Sequence, residues 1–100
     1  MDKIETFTEF VLLLKWLLDN FSFSDISIYH SNNGLTITEF IEHVSNENLV
    51  IEEDNIKIKH DIVRLNIYDT GWKYSYNDSN RFIIASMKKE GLNIEIAFQK

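Results

Sequence analysis

The sequence predicts an α+β fold: a long N-terminal helix packed on an antiparallel sheet, a meander of about five to seven short strands, with a second short helix near residues 37-45. Three observations lead there. Apolar residues recur every three or four positions from Ile4 to Phe21, the period of one helix face. From residue 49 onward they alternate instead, the period of a strand. Polar runs of Asn, Asp, Ser and Gly separate the alternating segments, as turns do.

The first element is the clearest. Ile4, Phe7, Phe10, Val11, Leu14, Leu17, Leu18 and Phe21 fall on one helix face, within about 140° of arc at 100° per residue. Asp2, Glu5 and Glu9 lie near the N-terminus, where the helix dipole favours negative charge. Asn20 and Ser22-Phe-Ser24 end the element, which places the helix at about residues 3 to 20. Leu12, Leu13 and Trp16 sit off that face. Leu12 and Trp16 are one turn apart among Glu5, Glu9, Lys15 and Asp19, so they ask for a second cover and are candidate dimer contacts.

Asp25-Ile-Ser-Ile-Tyr-His30 alternates and reads as a strand, followed by a turn at Ser31-Asn-Asn-Gly34. The next segment supports two readings. As a helix it aligns Ile37, Phe40, Ile41 and Val44, and Thr36 with Glu39 makes a capping box. As a strand, Thr36-Ile-Thr38 pairs back across the Asn-Asn-Gly turn. The helix reading is preferred here because its apolar spacing is the fuller match.

The rest reads as strands. Leu49-Val-Ile51 and Ile56-Lys-Ile-Lys59 flank the loop Glu52-Glu-Asp-Asn55. Ile62 to Tyr68, Trp72 to Tyr76, Arg81 to Ser86 and Leu92 to Phe98 follow, separated by turns. Leu92, Ile94, Ile96 and Phe98 point to one face and Asn93, Glu95 and Gln99 to the other, so one face of the sheet is buried and one is wet. The helix is the natural cover. Its eight apolar side chains, at about 1.5 to 3 kcal/mol each when buried, make it central to stability.

Composition narrows the functions. One hundred residues without a linker-like stretch read as a single compact domain, 1-100. There is no cysteine, which excludes disulfides and thiolate chemistry and fits a reducing compartment. Three glycines do not make a phosphate loop. The longest apolar run, Phe10 to Leu14, is too short to span a membrane. Met1-Asp-Lys-Ile-Glu5 is not the basic start of a secretion signal. A cytoplasmic location is expected. The richness in Ile, Asn and Lys is the bias of an AT-rich genome, such as those of some bacteria and phages.

Catalytic patterns are weak. His30, His43 and His60 lie far apart in sequence, and no G-x-S-x-G or calcium-loop pattern occurs. No catalytic residue, cofactor or metal is assigned, and the chain is expected not to be an enzyme. The charge is more informative. The formal net charge is −6, and it lies wholly in residues 1–50, which hold eight acids and two bases. Glu39, Glu42, Glu47, Glu52, Glu53 and Asp54 follow one another with no base among them. On the helix reading they form one acidic patch able to dock a basic protein. Tyr68, Trp72, Tyr74 and Tyr76 supply aromatic anchors, since Trp and Tyr join a large apolar body to a polar tip. A helix at 37–45 followed by a hairpin has the order of a winged helix, but these acids carry the wrong sign for nucleic-acid phosphate, so direct nucleic-acid binding is not expected.

This profile (short, acidic, cysteine-free, without catalytic motifs) is similar to that of bacterial immunity proteins and of phage anti-defence proteins of the anti-CRISPR and anti-restriction kinds. The similarity implies an inhibitor that blocks a larger basic enzyme, such as a nuclease, with carboxylates standing in for phosphates. The alternative is a structural or adaptor subunit that homodimerises through Leu12 and Trp16.

Overall fold

The computed structural model describes residues 4–32, 35–52, 55–60, 64–68 and 71–100, with the backbone alone at residues 32, 35–37, 43, 64–66 and 68. Among the described residues it is an α+β fold of one α-helix and eight strands. Helix α1 spans Phe7–Asn20. The strands are β1 (Phe23–Asn32), β2 (Leu35–Ser45), β3 (Leu49–Ile51), β4 (Asn55–Lys59), β5 (Arg64–Tyr68), β6 (Lys73–Asp78), β7 (Phe82–Lys89) and β8 (Leu92–Gln99).

All the pairings are antiparallel, but the strands do not form one meander. They divide into a five-stranded sheet in the order β2-β1-β8-β7-β6 and a three-stranded sheet β3-β4-β5. The last strand thus returns to pair with the first, Ile28 opposite Ile94 and Ile26 opposite Ile96. Nothing local sets such a pairing. It is decided by which strands can share one buried face.

That face lies under α1. The pairings align two rows across the five strands, Ile41–Ile26–Ile96–Ala85–Tyr76 and Glu39–Ile28–Ile94–Met87–Tyr74. Their Ile, Ala and Met members are at most 4% exposed. Phe10 of α1 stacks on Tyr74 with ring centroids 4.9 Å apart, and Phe21 meets Phe98 at 5.7 Å. Leu49, Ile56, Ile58 and Ile67 of the smaller sheet belong to the same buried cluster, as does Leu13 of the helix. Leu13 therefore corrects its expected place beside Leu12 and Trp16. With it, the buried arc of α1 widens to about 180° at 100° per residue.

The helix starts later than expected because Thr6 caps it. Thr6 Oγ1 accepts from the Glu9 amide at 3.1 Å and donates to Glu9 Oε1 at 3.0 Å, so Thr6-x-x-Glu9 closes the first turn. At the other end Asn46 Nδ2 donates to the Leu18 and Phe21 carbonyls, both at 2.7 Å. These are carbonyls that a helix end leaves without an intrahelical partner.

The second helix expected at residues 37-45 is instead β2, paired with β1 from Phe23↔Ser45 to Asn32↔Leu35. Helix resumes only as a 3-10 turn at Asn46–Asn48. A bulge explains the misleading spacing. Ile26 faces Ile41 and Ser24 faces Val44, so one residue of β1 stands against Glu42 and His43 of β2. The extra residue lets Ile41 and Val44, three apart like neighbours on a helix face, both be buried, at 4% and 1% exposure. Phe40, placed on the same apolar helix face by the periodicity, is 55% exposed. The Asn33-Gly34 dipeptide between the paired ends has the composition of a two-residue hairpin turn but lies outside the described residues.

Candidate functional site

The strand at 35–45 redistributes the acids. Glu39 ends the row that contains Ile28 and Tyr74, so it belongs to the helix-covered side of the sheet, exposed because β2 is the edge. Glu42 follows Ile41 and belongs to the opposite side. Glu47 is exposed in the 3-10 turn, and Glu52 is exposed beyond β3, on the smaller sheet. Glu53 and Asp54 lie outside the described residues. A helix would have gathered Glu39 and Glu42 on one side. The strand sends them to two, and the four described acids do not share one face.

Glu52 is moreover engaged within the chain. Its Oε1 lies 2.8 Å from Lys57 Nζ, and its Oε2 accepts from Asn55 Nδ2 at 3.2 Å. The hydrogen bond from Lys57, then that from Asn55, holds the Glu52 carboxyl below the ordinary glutamate value. A carboxylate already paired with its own lysine has less to offer a basic partner.

Trp72, Tyr74 and Tyr76 do share a side, as the alternation predicts. They are half-buried and pack against the core cluster on the helix-covered side. Tyr74 is part of the helix–sheet contact through Phe10. Burial, and then the negative charge of Asp78, pushes the Tyr76 phenol above its ordinary value, so it stays neutral. The ring of Trp72 receives Lys89 Nζ at 5.8 Å from its centroid. Of these three, each presents only its margin to a partner. The side chain of Tyr68 lies outside the described residues.

Leu12 and Trp16 are where the helix most departs from a covered element. They are 61% and 51% exposed. On the helix wheel they stand near the middle of the uncovered arc, among exposed Glu5, Thr8, Glu9, Lys15 and Asp19. The described flank of this stripe therefore carries three acids against one base. Two further exposed aromatics, Phe23 (54%) and Phe40 (55%), were not marked by the sequence. Both belong to the sheet side facing away from α1, and strict alternation with Ile41 was the signal for Phe40.

His30 is exposed on β1 and His60 is half-buried after β4. Among the described residues, no three His, Asp or Glu side chains gather as metal ligands do. No helix is long and apolar enough to cross a membrane. In comparisons with known proteins, no family model, no curated protein and no solved structure matches this chain.

Proposed function

We propose that this chain is a small acidic protein-binding module that acts in the cytoplasm as an inhibitor, in the manner of immunity and phage anti-defence proteins. Its target is a larger basic enzyme, one that acts on nucleic acid. The observation that carries the reading is the exposure of Leu12 and Trp16 in the middle of an acid-flanked helix stripe. An apolar centre with a charged rim is the anatomy of a protein interface, and Trp is the residue most enriched in its energetic centre. The net charge of −6 favours encounter with a cationic surface. Glu39, Glu42 and Glu47 add long-range attraction without forming a contact surface of their own.

The test is inhibition of a panel of basic defence nucleases, measured at low and high salt. The expected outcome is inhibition of at least one enzyme that weakens as salt rises, and weakens again in Trp16→Ala. If no nuclease is inhibited, or if Trp16→Ala inhibits the same enzyme equally well, this reading fails. The same two residues also favour the adaptor reading, in which the stripe meets a second copy. Light scattering separates the two readings, since a dimer doubles the 11.8 kDa of one chain.

A further inference from the structure

On the side of the five-stranded sheet away from α1, the pairings align a row with a different character. Thr38 faces Tyr29, Tyr29 faces Asn93, Asn93 faces Lys88, and Lys88 faces Lys73. Every member carries a hydrogen-bond donor, and none carries a carboxylate. Lys73 and Lys88 stand directly opposite each other, an arrangement of like charges that destabilises a sheet pair. Among the described residues neither lysine forms an ion pair.

Lys89 completes the corner from the other side. Its chain crosses Gly71, where an added Cβ would lie 3.4 Å from Lys89 Cε, and its ammonium rests near the Trp72 ring. Gly71 has φ of +76°, a backbone conformation that disfavours any other side chain there. The three lysines, with Gly71 and Glu90, line a cleft of about 380 Å³. Lys88 and Lys89 also wall a neighbouring cleft of about 270 Å³ that includes Tyr29 and Asn93. In a chain of net charge −6, the described residues of this corner hold three cations against the one carboxylate of Glu90.

We infer that this corner is an anion site for a compact phosphate-bearing small molecule. The bound anion sits between Lys73 and Lys88, relieves their mutual repulsion, and takes further donors from Asn93 and Tyr29. Nucleic acid is the poorer fit. The next row on the same side is Ser27–Glu95–Ser86, so an extended phosphate backbone running along the strands meets Glu95. The site is independent of the Leu12–Trp16 stripe, which lies on the helix covering the opposite side of the sheet.

The experiment is a titration of the folded, isotope-labelled protein with sodium pyrophosphate, followed by amide NMR shifts, against sodium chloride of equal ionic strength. Saturable shifts confined to Tyr29, to residues 71–73 and to residues 88–93, absent with chloride, are expected. Lys88→Ala should weaken binding about tenfold, the loss of one charge-assisted hydrogen bond at the low end of its range. A spectrum otherwise unchanged shows that this variant is folded, and Lys73→Ala provides the same test from the neighbouring strand. Equal shifts with chloride, unchanged affinity in both variants, or tighter binding of a single-stranded oligonucleotide than of pyrophosphate would each overturn the assignment.

Discussion

Helix α1 and strand β2 begin with the same words and end as different structures. Each contains Thr-x-x-Glu, Thr6 to Glu9 in one and Thr36 to Glu39 in the other, and each follows it with apolar residues three and four apart. In α1 the motif caps a helix, with the Glu9 amide bound to Thr6 Oγ1. In β2 it lies inside an eleven-residue strand. The difference teaches that a helical start signal is only as strong as the periodicity behind it. The pattern of α1 runs from Ile4 to Phe21 and buries its face through the full length. That of β2 lasts for Ile37 to Val44, is rich in β-branched residues, and follows an Asn-Gly pair that favours a hairpin.

The comparison can be broken most severely at the bulge. Inserting one Ala after Asp25 gives β1 a second residue against Glu42 and His43, so the pair becomes regular and Ile41 and Val44, three apart, can no longer both face the core. The expected loss is about 1.5 to 3 kcal/mol, one buried aliphatic side chain turned outward, read as a lower urea midpoint. An insertion variant as stable as the parent would mean that the bulge does not hold these two residues inside.

A smaller effect sharpens the contrast between the two motifs. Thr6→Ala removes the cap of α1 and should cost about 1 kcal/mol with some loss of helical circular dichroism. Thr36→Ala has no helix start to remove, so the helical signal should stay as it is. Equal losses of helical signal from both substitutions would contradict the strand assignment.

The smallest effect concerns the acids that the two readings distribute differently. Lys57→Met should raise the pKa of the Glu52 carboxyl toward its ordinary value, with the Asn55 hydrogen bond still acting on it, as followed by carboxyl NMR. Because folding lowers the pKa of Glu52, the stability it contributes is present above the unfolded value and is lost as pH falls through the lowered one. The stability difference between parent and variant should therefore be seen at pH 6 and fade below pH 4. A Glu52 titration unmoved by Lys57→Met would show that the salt bridge does not hold this carboxylate.

Much of the fold was legible because the patterns that encode it are local. The period of α1, the alternation of β8 and the turn residues around Gly71 and Gly91 each follow from which side of a single element must be buried. The exposed pair Leu12 and Trp16 was legible for the same reason, since helix geometry alone puts them off the main face. The acidic surface was not. Its members were neighbours only if residues 37–45 coiled, and the period of β2 was disguised by a bulge that makes strand spacing resemble helix spacing. The lysine corner was equally hidden, because Lys73 lies on β6 and reaches Lys88 and Lys89 of β7 only through the β6–β7 register.

By itself, then, the sequence determined one amphipathic helix, a set of alternating strands and the imbalance of charge between its halves, all properties of residues near one another in the chain. The tertiary structure alone decided that β8 pairs with β1, that β3, β4 and β5 form a sheet apart, that residues 35–45 are extended, and which charges face each other. The physical reason is that local spacing states which residues want to be buried, whereas partner, register and face are settled when all the elements compete for one core.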